Sequence, residues 1–165
     1  MHAKSFARRV AVAVSLFVAV ALPAAAEHEV NTSGGYTLAG APLALRGFDP
    51  VAYFADGKAA LGNPAIQAVH DGATYQFTSE AHKKSFEADP ARYAPQFGGF
   101  CAFGVALGKK FDGDPQAWKI VDGKLYLNLN GDIQKKWQED EAANIRKAVT
   151  TWGDIAGQAP AVINR

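Results

Sequence analysis

Two Asp-Gly dipeptides, Asp71-Gly72 and Asp122-Gly123, each stand between short runs rich in β-branched and aromatic residues. Asp-Gly suits the tight type I′ turn, whose two central residues both need positive φ, and such a turn joins antiparallel neighbours. The sequence therefore predicts two hairpins, Ile66 to His70 with Ala73 to Thr78, and Trp118 to Val121 with Lys124 to Leu129. Alternation at Tyr75/Phe77 and at Leu125/Leu127/Leu129 points one face of each hairpin inward. One shared antiparallel sheet is the simplest expectation.

Helical signals fill much of the rest. Asp49-Pro50 offers a helix start, and Ala55-Asp56-Gly57 a stop. Ser79 is a good N-cap for Glu80 to Ala88, and Asp89-Pro90 restarts a shorter helix through Tyr93. Asp132 is expected to cap one long helix ended by Gly153, with Ile133, Trp137, Ile145, Ala148 and Trp152 on its apolar side. Glu141 projects into that stripe and should reach solvent or a basic partner, because an unpaired buried carboxylate is costly. The fold class expected is α+β, a small antiparallel sheet of two hairpins packed against several helices in a single domain.

Composition agrees with one ordinary core, since 48% of the 165 residues are hydrophobic and 20% charged. The N-terminus has the build of a secretory signal: Lys4, Arg8 and Arg9, an apolar run from Val10 to Leu22, then Pro23-Ala24-Ala25-Ala26. The thirteen residues of this run, apolar but for Ser15, rise only about 20 Å as helix, short of a hydrocarbon core of roughly 30 Å, so a cleavable leader is favoured over an anchor. General secretion is favoured over twin-arginine export, and a periplasmic location follows. Cleavage after Ala26 leaves 14 basic against 16 acidic side chains. Such a surface lacks the concentrated positive charge that nucleic-acid binding requires. Cys101 is the single cysteine, so no internal disulfide is available. The organisation expected is a signal peptide over 1–26, a loosely ordered arm over 27–45, a domain over 46–155 and a C-terminal tail over 156–165.

The chain resembles the YHS domain family through Asp49-Pro50-Val51, Gly72 to Tyr75, Phe77, Ser79-Glu80, Phe86, Pro90 and Tyr93. Tyr75, Ser79 and His82 match the residues for which that family is named. It is also similar to a longer exported subgroup through Tyr93-Ala94-Pro95-Gln96-Phe97-Gly98-Gly99-Phe100-Cys101-Ala102 and Gly123-Lys124-Leu125-Tyr126-Leu127-Asn128. The resemblance spans about Arg46 to Trp152 and implies a binding or accessory module. Family members attached to heavy-metal transporters carry cysteines where this chain has Ala52, Thr78 and His82, so a three-thiolate site is not expected.

His82, Cys101 and His70 remain as candidate ligands for copper or zinc, metals that accept imidazole nitrogen and thiolate sulfur. Against this stands a structural role for each, with His82 bonded to backbone or Tyr75, His70 solvated and Cys101 a small buried hydrophobe. A second functional reading is a small-molecule or protein-interaction module with an apolar pocket between sheet and last helix. A third is a thiol-dependent enzyme using Cys101, although no catalytic set can be named and no second cysteine could resolve an oxidised form. Gly98-Gly99 is not a phosphate loop, because no Gly-Lys-Ser/Thr follows, and close backbone packing explains it better.

Overall fold

Two hairpins do form, but they do not share a sheet. The computed structural model describes residues 29–165, so the expected signal peptide lies outside the described residues. β1 (Asn63–His70) pairs antiparallel with β2 (Ala73–Phe77), and β3 (Asp114–Val121) with β4 (Lys124–Asn128), as two separate two-stranded sheets. Asp71 and Gly72 have φ of 48° and 74°, and Asp122 and Gly123 have 50° and 71°, the positive pairs a type I′ turn demands. Every residue of β2 is buried, as are Leu125 to Asn128 of β4, so neither strand keeps a solvent face. The second edge of each inner strand is taken by an isolated bridge rather than by the other hairpin, Leu43 to Thr74 in β2 and Cys101 to Leu127 in β4. Leu129, expected to point inward, is 40% exposed.

The helices are α1 (Ala52–Ala55), α2 (Glu80–Ala88), α3 (Pro90–Tyr93), α4 (Ala102–Ala106), α5 (Gly131–Gln138), α6 (Glu141–Ile155) and α7 (Pro160–Ile163). The one long helix expected from Asp132 to Gly153 is thus two. Asn130, in extended backbone, caps α5 by accepting from the Asp132 and Ile133 amides, and Asp140 caps α6 by accepting from Ala143 N–H. A cap residue leaves helical backbone to do this, so Asp140, at φ −144° and ψ 64°, breaks the run. Gly153 does not end α6, which continues to Ile155.

The described chain is built from one unit used twice. A short 3-10 turn with a left-handed non-glycine residue opens each unit, Leu45 in Ala44–Gly47 and Phe97 in Gln96–Gly99. A short helix, a bulged hairpin and two capped helices follow in both. Phe48 answers to Phe100 at 52 residues' distance; Gly62, Pro64, Asp71-Gly72 and Tyr75 answer to Gly113, Pro115, Asp122-Gly123 and Tyr126 at 51. Both hairpins carry their irregularity at the same register, Asn63/Gln67 and Asp114/Trp118. The caps correspond as well, Ser79 with Asn130 and Asp89 with Asp140.

Each unit contributes a core. Leu45, Val51, Tyr53, Tyr75, Phe77 and Phe86 pack in the first, and Phe97, Phe100, Val105, Tyr126, Trp137 and Ala148 in the second. β4 is the wall between them, sending Leu125 and Leu127 to the first core and Tyr126 to the second. Phe86 and Trp137 are the equivalent helix residues of the two units, 1% and 0% exposed, and each such side chain stabilises by roughly 2–3 kcal/mol. The result is a single α+β domain. Among the described residues no helix is long and apolar enough to cross a membrane.

The segment expected to be a loose arm is tied to this body from residue 29 onward. Asn31 N–H donates to Gly98 O at 2.8 Å, Ser33 Oγ donates to Asp112 at 2.5 Å, and Leu43 pairs with Thr74 beside β2. Gly98, at φ +62°, lies so close under the Glu29 carbonyl that a Cβ would collide with it. The tail carries α7, where Ile163 O accepts from Lys109 Nζ, and Asn164 just after it, whose Oδ1 accepts from Lys110 N–H.

Candidate functional site

Asp49 is the centre of a polar cluster that joins α1 to the start of α2. It follows the first 3-10 turn and has no exposed surface. Its Oδ1 accepts from Val51 N–H at 2.8 Å and Ala52 N–H at 3.3 Å, the start of α1 that the Asp-Pro pair predicts. Oδ2 reaches across the fold, accepting from the Thr78 amide at 2.8 Å and hydroxyl at 2.7 Å, and lies 2.7 Å from His82 Nδ1. An ionised carboxylate only accepts, so in this contact His82 Nδ1 carries the proton and donates it to Asp49. Ser79 caps α2 by accepting from His82 N–H, which fixes the histidine in the first turn. The side chain of His82 is 16% exposed. Its partners are therefore Asp49 and Thr78, and Tyr75 is not among them.

Cys101 occupies the position in the second unit that Asp49 holds in the first. Cys101 N–H donates to Phe111 O at 2.8 Å just as Asp49 N–H donates to Ala60 O. Its sulfur caps α4 by accepting from Gly104 N–H at 3.3 Å, and faces Asn128 Oδ1 at 3.7 Å. The thiol is 1% exposed, and burial pushes its pKa up, outweighing the amides of Gly104, Leu129 and Phe103 that favour thiolate. Ile133 stands where His82 stands in the first unit, so no imidazole answers this sulfur.

His70 ends β1 at the hairpin tip. Its Nε2 is 3.1 Å from Asp71 Oδ2, and its ring meets Phe86 edge-on at 5.8 Å. The side chain is 30% exposed. His70, His82 and Cys101 each have partners of their own, and among the described residues no group of three or more His, Cys, Asp or Glu side chains could hold a metal ion.

His70 instead borders a cleft of about 580 Å³ between the first hairpin tip and α6. Tyr75, Phe97 and Trp152 give it aromatic walls, and Val149 an aliphatic one. Glu29 and Val30 close one side from the N-terminal segment, while Lys124 comes from the start of β4. Beside it lies Lys110, whose side chain is wholly buried although it is charged. Its Nζ donates to Glu29 Oε2 and, at 2.7 Å, to Gln158 O, and sits 5.1 Å from the Trp152 ring and 5.5 Å from that of Phe100.

Sequence reasoning did not single out Asp49 as a hub or Lys110 as a buried charge. Asp49 was legible only as a helix start, because its second oxygen acts on residues 29 and 33 positions away. The duplication itself was the available signal: aligning Phe48-Asp49 with Phe100-Cys101 marks both positions at once. No family model, no curated protein and no solved structure matches the chain.

Proposed function

We propose that the chain is an exported YHS-type binding module that holds a small organic molecule in the cleft between the first hairpin and α6. The observation that carries this reading is the cleft, whose volume of about 580 Å³ is in the range of small-molecule sites. Its lining combines aromatic walls with a few polar groups, the chemistry that binds an apolar body and orients it. The export assignment rests on the leader pattern ending at Ala26. Native mass spectrometry of the tag-free mature protein tests the binding role. A bound small molecule should survive purification, resist chelators and be lost in Ala91→Trp and Val149→Trp, which fill the cleft from its exposed lining. A protein that is empty in every preparation, or that keeps its ligand in both variants, rules the cleft out.

A second reading is favoured by the Asp49–His82 pair. A carboxylate holding Nδ1–H is the usual outer partner of a metal-bound imidazole, since it fixes the tautomer and raises the basicity of Nε2. His82 would then supply one ligand to copper or zinc, with the remaining positions filled from outside the described residues. Calorimetry with Cu(I), Cu(II) and Zn(II) decides this. Affinity tighter than about 10 μM that disappears in His82→Ala supports it, and its absence leaves the pair structural.

A further inference from the structure

Lys110 carries a charge that the two duplicated units do not themselves neutralise. Its side chain has no exposure, and a desolvated ammonium needs an anion. That anion comes from Glu29, only three residues beyond the expected leader end at Ala26. The receiving side is built by the folded body: Lys110 Nζ, fixed by Gln158 O and the Trp152 and Phe100 rings, and Gly157 N–H, which donates to the same Glu29 oxygen at 2.8 Å. Two donors converging on one carboxylate oxygen over aromatic rings form a carboxylate site. Here the chain fills it with its own side chain.

The site is contiguous with the cleft. Glu29 and Trp152 line the cleft and also contact the lysine, and the Glu29 side chain is 21% exposed, so the carboxylate stands between buried cation and open water. Resting on the cleft reading above, the geometry points to a ligand with a flat apolar body and one carboxylate. The body lies against Phe97 and Trp152, and the carboxylate takes the place of Glu29 on Lys110 and Gly157 N–H. The N-terminal segment is then a resident competitor. A tethered group competes at an effective concentration on the order of mM or above, so removing it should tighten ligand binding at least tenfold.

The test uses naphthoate and its uncharged analogue naphthamide as probes, titrated into the mature protein and into Glu29→Ala, Glu29→Gln and Glu29→Ala/Lys110→Met. Naphthoate should bind Glu29→Ala at least tenfold more tightly than wild type, with a smaller gain in Glu29→Gln, and the gain should vanish when Lys110→Met is added. Naphthamide should bind all four alike. If Glu29→Ala does not fold, Glu29→Gln, which keeps the side-chain shape, decides alone. Naphthamide binding without any gain for naphthoate overturns the carboxylate site and leaves the cleft reading standing. Failure of both probes to bind any form overturns both.

Discussion

Replacing Asp49 by alanine should be the most damaging single truncation in the first unit outside its apolar core. The change removes the acceptor for Val51 N–H, the Thr78 amide and hydroxyl, and His82 Nδ1. Thr78 and His82 are partly exposed and recover some bonding from water. The Val51 bond is buried and the Thr78 amide bond partly so. Two charge-assisted bonds lost without replacement, at about 1.5–3 kcal/mol each, give a destabilisation of roughly 3–6 kcal/mol. That is a large share of the 5–15 kcal/mol or so that holds a typical domain together. Asp49→Asn keeps an oxygen for the α1 amides but turns an NH2 toward the Thr78 donors, so about half of the loss is expected. His82→Ala should cost less, roughly 1–2 kcal/mol, and the Asp49→Ala/His82→Ala pair should lose about 1 kcal/mol less than the sum of its parts, because the two side chains share a bond. Urea unfolding followed by far-UV circular dichroism reads all four. An Asp49→Ala protein within about 1 kcal/mol of wild type, or strict additivity with His82→Ala, would refute the claim that Asp49 joins α1 to the start of α2.

Further outcomes follow from other positions. Gly98→Ala should free the N-terminal segment, since its Cβ collides with the Glu29 carbonyl at a left-handed φ; limited proteolysis near residues 29–34 should quicken, and an unchanged cleavage rate would contradict the packing. Cys101 should react with thiol reagents only as fast as the protein opens, even at pH 8, because it is buried and its thiol is held protonated; rapid labelling of the native protein would reinstate the thiol-enzyme reading. The same shift has a sign in stability. The native thiol retains its proton longer than the unfolded one, so this group's contribution is fully present below about pH 8.5, where the unfolded thiol begins to ionise, and falls as pH rises toward the native value. Cys101→Ser should therefore flatten the decline of stability above about pH 8.5, and an identical slope in both proteins would sink this assignment.

What the sequence made legible was local. Asp-Gly turns, the Ser79 cap and the Asp89-Pro90 restart all act within four residues, and the structure places the turns and both helix starts there. The break at Asp140 was hidden because the apolar residues on either side keep helical spacing, so periodicity alone runs straight through a cap. The separation of the hairpins was hidden for another reason. Alternation marks which strand residues are apolar, not whether the polar ones between them are covered, and Thr74 and Gln76 are buried all the same. The cleft was anticipated only as a pocket near the last helix. Its aromatic walls, Tyr75, Phe97 and Trp152, come from both units, and Glu29 from before them, a convergence no local pattern records.

Amide NMR of the protein during titration with naphthoate tests the cleft most directly. Shifts should concentrate at Val30, His70, Phe97, Gly98, Val149 and Trp152, with Ser79 and His82 unmoved. Shifts that miss those residues, or a spectrum that answers only to metal ions at Ser79 and His82, would contradict the cleft reading.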